Sequence, residues 1–142
     1  MTEHHTIPSD ATVTLREINS KIVFDVCKLS WTLEAPQTKA VALNAISLAQ
    51  AMYSASAWPR AIYADDHLVG FLMLDDQPQK PKYFLWRMMI ATPYQGNGFG
   101  RDAISRLIDY VKTRPGASEL RVSCVEGDGS PLGFYESIGF KV

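Results

Sequence analysis

The sequence predicts one α/β domain built on a mixed sheet flanked by helices, and three observations predict it. Apolar periods give, in order, a strand, two helices, three strands, a helix, a strand and a helix. A polar turn joins two of the middle strands, so a hairpin meander precedes a strand–helix–strand unit. Between the fourth strand and the third helix lies a loop, Gln95-Gly96-Asn97-Gly98-Phe99-Gly100-Arg101, with glycine at alternate positions. The 142 residues suffice for one core but not two.

Residues 1–11 are polar, with His4 beside His5, and read as a flexible lead to a single domain over 12–142. Residues 13–18 alternate apolar and polar, as a half-buried strand does. Asn19 or Ser20 can cap a helix whose apolar face is Ile22, Val23, Val26 and Leu29. Residues 31–38 carry Pro36 and no period, and read as a loop. Asn44 can cap a second helix reaching about residue 56, with Ile46, Ala49 and Tyr53 on one stripe and Pro59 as its stop. Residues 60–64 and 68–74 read as strands around the polar turn Asp65-Asp66-His67. Residues 75–81 read as a further turn.

Residues 83–91 are apolar except for Arg87, the pattern of a central strand buried on both faces. A helical period from Gly100 to about Lys112 places Ala103, Ile104, Leu107, Ile108 and Val111 on one face, and Pro115-Gly116 ends it. Residues 120–125 alternate as a strand. A short helix over about 130–138 starts at Pro131 and ends at Gly139.

Bulk properties narrow the function. Net charge is -1, which gives no electrostatic case for nucleic acid or an anionic membrane. Cys27 and Cys124 lie far apart, without metal-ligand spacing or a disulfide framework, and read as small core residues of a reducing compartment. No apolar run spans a bilayer, so a cytoplasmic monomer or small oligomer, a homodimer included, is expected.

The glycine loop carries the chemistry. Without β-carbons, a backbone can press its N–H groups against a phosphate while the following helix offers its positive end. Two nucleotide fingerprints fail on spacing. The dinucleotide motif needs G-x-G-x-x-G, and the triphosphatase loop needs Lys followed by Ser or Thr where Arg101-Asp102 stands. Gln95, Gly98 and Gly100 do fit Gln-x-x-Gly-x-Gly, and there the chain resembles the GCN5-related N-acetyltransferase family. A second segment agrees: Phe134-Tyr135 followed by Gly139-Phe140 is similar to the family's late helix. Asp128 stands seven residues before Tyr135, where the family often has Asn.

The resemblance covers residues from about 12 to the end and implies the family fold, with the closing strand after Gly-Phe absent. The chain is then truncated, or a partner completes its sheet. Residues 13–18, 44–49 and 86–90 look most like the bacterial diamine, spermine and spermidine N-acetyltransferases, which implies a polyamine acceptor. By the same resemblance acetyl-CoA is co-substrate, with no metal. Its pantetheine arm would pair with the backbone of Met88, Met89 and Ile90, and its pyrophosphate would meet the amides of Gly96 to Arg101. Asp128 joins the cofactor set, together with Gln95, Asn97, Phe99 and Tyr135.

The acceptor amine sets the energetic problem. With a pKa near 10.4, deprotonating it at neutral pH costs roughly 4–5 kcal/mol at about 1.4 kcal/mol per unit. A carboxylate acting through water, or desolvation of the amine, must offset part of that. Glu126, Glu17 and Glu34 are the candidates, Glu34 also for holding a second ammonium; each is alternatively a plain solvated carboxylate. Tyr135 matches the family's general acid, which would protonate the thiolate released as the tetrahedral intermediate collapses, or it is a buried aromatic beside Phe134. Cys124 makes a poor acyl-carrying nucleophile, because no histidine is placed to activate it. Three alternatives to a polyamine acetyltransferase follow: the same chemistry on another amine, a non-catalytic acyl-CoA-binding module, or a chain inactive without a neighbour's strand.

Overall fold

The computed structural model describes residues 7–124, 127 and 129–141. Five strands form one sheet in chain order. β1 (Val13–Arg16), β2 (Ala57–Ala64), β3 (His67–Gln77) and β4 (Lys82–Ile90) are successively antiparallel. β5 (Arg121–Val122) then runs parallel to β4, so the sheet is mixed, as expected. At the β2–β3 turn Asp65 takes φ 50°, a conformation its short polar side chain tolerates, and its Oδ1 accepts from the Thr12 N–H at 3.0 Å.

Two apolar layers cover the sheet. On one face α4 (Phe99–Lys112) buries Phe99, Ala103, Ile104, Leu107 and Val111 against Leu72, Leu74 and Leu85. On the other, α1 (Val23–Leu29) sets Val26 and Leu29 against Phe71, Met73 and Met89. β3 supplies both layers: Phe71, Leu72, Met73 and Leu74 are all fully buried, each worth roughly 1.5–3 kcal/mol of burial. The role predicted for residues 83–91 therefore belongs to β3. Among the described residues, β4 has a paired neighbour on its β5 side only at Phe84 and Leu85, and most of its later residues are half-buried.

Four further expectations are corrected. Residues 31–38 are not all loop, since a 3-10 turn occupies Ser30–Thr32 and a short helix α2 spans Gln37–Ala40. The next helix, α3 (Asn44–Met52), ends well before Pro59, which lies in β2 opposite Met73. β1 pairs only with residues 61–64 of β2, so a missing N–H at Pro59 is tolerated on that open side. The predicted apolar stripe of α3 faces outward: Ile46 is 50% and Tyr53 91% exposed, while Asn44 and Ser47 are buried. Hydrogen bonds decide this orientation. The Asn44 N–H donates to Ser30 Oγ at 2.8 Å and its Nδ2 to the Val26 carbonyl at 2.9 Å, pinning the polar stripe to α1.

Finally, Ile7 and Ala11, predicted to lie in the lead, are buried in the α4-side core. The closing helix α5 (Leu132–Ser137) follows Pro131, and Gly139 beyond it takes φ +107°, as its expected stop requires.

Candidate functional site

The site begins where two strands part. β3 and β4 pair Leu74 with Leu85 and then Met73 with Arg87, so Trp86 is an extra residue bulged out of β4. The parallel pairing of β4 with β5 ends at the same level, with Leu85 opposite Val122. Beyond it, residues 86–90 have no described strand on the β5 side. A cavity of about 1260 Å3 lies beside the gap, larger than the roughly 300–1,000 Å3 usual for a drug-sized ligand, so it has room for a large one.

The glycine loop forms one wall. Gln95 Nε2 donates to the Ile90 carbonyl at 2.9 Å, and the Gln95 and Gln37 amides exchange hydrogen bonds of 3.2 and 3.3 Å. Gln95 thus ties the loop to the end of β4 and to α2. Asn97 Nδ2 braces the turn by donating to the Tyr94 carbonyl at 3.2 Å. Gly96 and Gly98 both take φ +82°, a region L side chains avoid, and a β-carbon on either would meet nothing within 4 Å. Six consecutive main-chain N–H groups, Gly96 to Arg101, find no acceptor among the described residues. They lie at the positive end of the 14-residue α4, an arrangement that can receive an anion. Gly100 has a different job: a β-carbon there would lie 3.2 Å from the Phe134 ring, so it lets α5 pack on the first turn of α4.

Tyr135 on α5, like Cys124, also lines the cavity. It is 5% exposed, its ring 5.4 Å from that of Phe134 and 5.5 Å from that of Phe140. Burial, with a smaller contribution from Cys124, pushes its phenol up to about 12. At neutral pH it is therefore a protonated donor.

Of the residues singled out from sequence, Met88, Met89, Ile90, Gln95, Gly96 and Gly98 line this cavity. So do Phe99, Gly100, Arg101 and Tyr135, although the Phe99 side chain is buried in the core. Asn97 supports the loop from outside the lining. Glu34 is exposed and off the cavity, and Glu17 points away to Arg60, 3.7 Å from its Nη2. Glu126 and Asp128 lie outside the described residues. Among the described residues no three His, Cys, Asp or Glu cluster as a metal site.

Sequence reasoning passed over Arg87. Arg87 is among the residues lining the cavity; its Nη2 donates to Gln50 Oε1 at 3.2 Å and its Nη1 to the Trp86 carbonyl at 3.1 Å. A lone charge in an otherwise apolar strand was the available signal.

A row of N–H groups without acceptors among the described residues, a strand edge without a described neighbour and a buried phenol line one cavity, an arrangement able to receive an anionic ligand. The profile of the Acetyltransferase (GNAT) family matches residues 26–140, and the chain belongs to that family. It is an acetyl-CoA-dependent N-acetyltransferase, and the N–H row and open strand edge fit that co-substrate.

No curated protein matches the chain by sequence. Solved structures do match in fold. One is a Salmonella typhimurium acetyl transferase that modifies the N-terminal serine of a 50S ribosomal subunit protein: TM-score 0.71, 17% identity, covering 95% of this chain and 84% of that one. Another is a chimera of the Vibrio cholerae spermidine N-acetyltransferase SpeG and hSSAT: 0.68, 20% identity, 92% and 81%. A third is an aminoglycoside 6'-N-acetyltransferase from Acinetobacter haemolyticus: 0.66, 13% identity, 92% and 90%.

Proposed function

We propose that the chain acetylates a small primary amine by direct transfer, with the diphosphate of acetyl-CoA held on the amides of Gly96 to Arg101. The observation that carries this reading is the row of six N–H groups, without acceptors among the described residues, at a cavity that Tyr135 also lines. Acetyl-CoA supplies the activated thioester. The backbone of Met88 to Ile90 aligns its arm, the neutral amine nitrogen bonds to the acyl carbon to give a tetrahedral intermediate, and its collapse breaks the C–S bond with the electrons going to sulfur. Tyr135 gives its phenolic proton to that sulfur and regains one from solvent. The proton shed by nitrogen passes to water, with Glu126, a few residues past β5 in sequence, as the candidate relay.

The acceptor has two readings. A polyamine is supported by the subgroup resemblance and by similarity to the spermidine-acetylating chimera. An amine bearing negative charge is favoured by the cavity itself: its described lining includes Arg87 and Arg101 but no Asp or Glu. A cytoplasmic setting belongs to the same proposal, supported by the unpaired Cys27 and Cys124. The test mixes protein, acetyl-CoA and a panel of spermidine, putrescine, amino acids and short peptides, and follows free thiol. Acceptor-dependent release with at least one panel member is expected; its absence throughout, in protein that binds CoA, would leave only a non-catalytic binding module.

A further inference from the structure

We infer that Arg87 is the acceptor-recognition residue and that the amine this enzyme modifies carries a carboxylate. Arg87 stands directly after the Trp86 bulge, on the same face of β4 as Met89 and therefore toward α1 and α3. Its guanidinium has five donors, and the described residues occupy two of them, through Gln50 and the Trp86 carbonyl. The Nε is buried without a hydrogen-bond partner, and no carboxylate among the described residues lies within ion-pair distance of the group.

A half-buried cation with no counter-charge is costly in a finished site and reasonable in one awaiting its ligand. Arginine's planar fork suits a carboxylate, which it can meet with two parallel hydrogen bonds. Gln50 Oε1 holds the fork from the α3 side, and three of its five N–H donors have no acceptor among the described residues. The other cation on the lining, Arg101, sits in the first turn of α4 beside the row of N–H groups, so the two positive groups have separate work. A polyamine would bring further positive charge to Arg87 and find no described carboxylate on the lining. An amino acid or the C-terminus of a short peptide supplies the missing anion.

The inference rests on the acetyltransferase reading for the position of the amine, so its test uses binding as well as turnover. Calorimetry on the CoA-bound protein compares lysine with cadaverine, and alanyl-alanine with its C-terminal amide, pairs that differ only in the carboxylate or its charge. In the native protein the carboxylate member of at least one pair binds at least tenfold tighter. In Arg87→Gln that ratio falls to within about threefold, and Arg87→Lys recovers part of it. Native CoA affinity in each variant reports an intact fold. Selective binding without thiol release would overturn the enzymatic reading and sustain Arg87 as a carboxylate site. Equal binding within both pairs, no binding of any probe, or a preference that survives Arg87→Gln would overturn the inference.

Discussion

The two ends of the cleft are built from different materials. At the proposed phosphate end, recognition would rest on main-chain amides, and side chains there mostly stay out of the way: Gly96 and Gly98 have none, Asn97 braces its own turn, and Phe99 is buried beneath. At the proposed acceptor end the work would fall to side chains drawn from separate elements, Gln50 on α3 and Arg87 on β4. A site made of backbone constrains residue type at fixed spacing, because only glycine combines φ near +80° with room for a phosphate. A site made of side chains constrains nothing that neighbouring residues reveal. One fold can therefore keep a fixed donor and vary its acceptor. The similar structures, enzymes that act on a protein N-terminus, spermidine and an aminoglycoside, fit that pattern.

The largest effect is expected where the two ends meet. Tyr135→Phe keeps the ring packing on Phe134 and Phe140 and removes only the transferable proton. General acid catalysis contributes about 10²–10⁴-fold, so kcat should fall by at least about 10² with little change in KM for acetyl-CoA. The pH profile sharpens this. With its pKa pushed up to about 12, the phenol stays protonated throughout the usual assay range, so it imposes no fall in rate up to pH 10. The rate should instead rise with pH as the amine loses its proton. The same raised value means that stability drops between about pH 10 and 12, where the unfolded chain would release this proton and the folded one retains it. An alkaline loss of activity below pH 9, in a protein still folded, would argue against Tyr135 as the acid.

A smaller loss is expected at the phosphate end alone. Gly98→Val places a β-branched residue at φ +82°, with strain on the order of 1–3 kcal/mol, and sends its side chain into the space a phosphate would use. CoA affinity by calorimetry should weaken at least tenfold while the fold persists, since the β-carbon meets nothing in the free protein. Gly100→Ala provides the contrast. Its β-carbon presses on Phe134, so thermal stability should drop more clearly than CoA affinity. Equal CoA affinity in Gly98→Val and the native chain would remove the glycine loop as the binding site.

The same contrast explains what the sequence made legible. The loop and α4 could be read because backbone geometry and a 3.6-residue apolar period both leave local traces: Ala103, Ile104, Leu107 and Val111 are inward as the period requires. α3 misled because its apolar stripe is real but unburied. Two hydrogen bonds from Asn44, to Val26 fourteen or more residues away in the chain and to Ser30, outweigh the pull of Ile46 and Tyr53, and no local window contains both partners. The two-sided burial assigned to residues 83–91 failed for a related reason. Composition registers that a strand is apolar, but not that its neighbour pairs with two residues and then departs. Arg87 was visible as an exception in that strand, and only the placement of Gln50 beside it makes the exception a site.

The smallest effect concerns the carboxylates chosen from sequence for the amine. Glu17 has an 85% exposed side chain 3.7 Å from Arg60, and Glu34 is exposed beyond the cavity lining. An exposed ion pair contributes about 0–1 kcal/mol, and a solvated carboxylate off the cleft neither desolvates the amine nor takes its proton. Glu17→Gln and Glu34→Gln should each change kcat/KM for the best acceptor by less than about twofold and leave the melting temperature within a few degrees. If Glu34→Gln instead cost tenfold with a diamine acceptor and nothing with a carboxylate-bearing one, the acceptor end would be organised around a second ammonium, and the comparison with the phosphate end would have to be redrawn with Glu34 in place of Arg87.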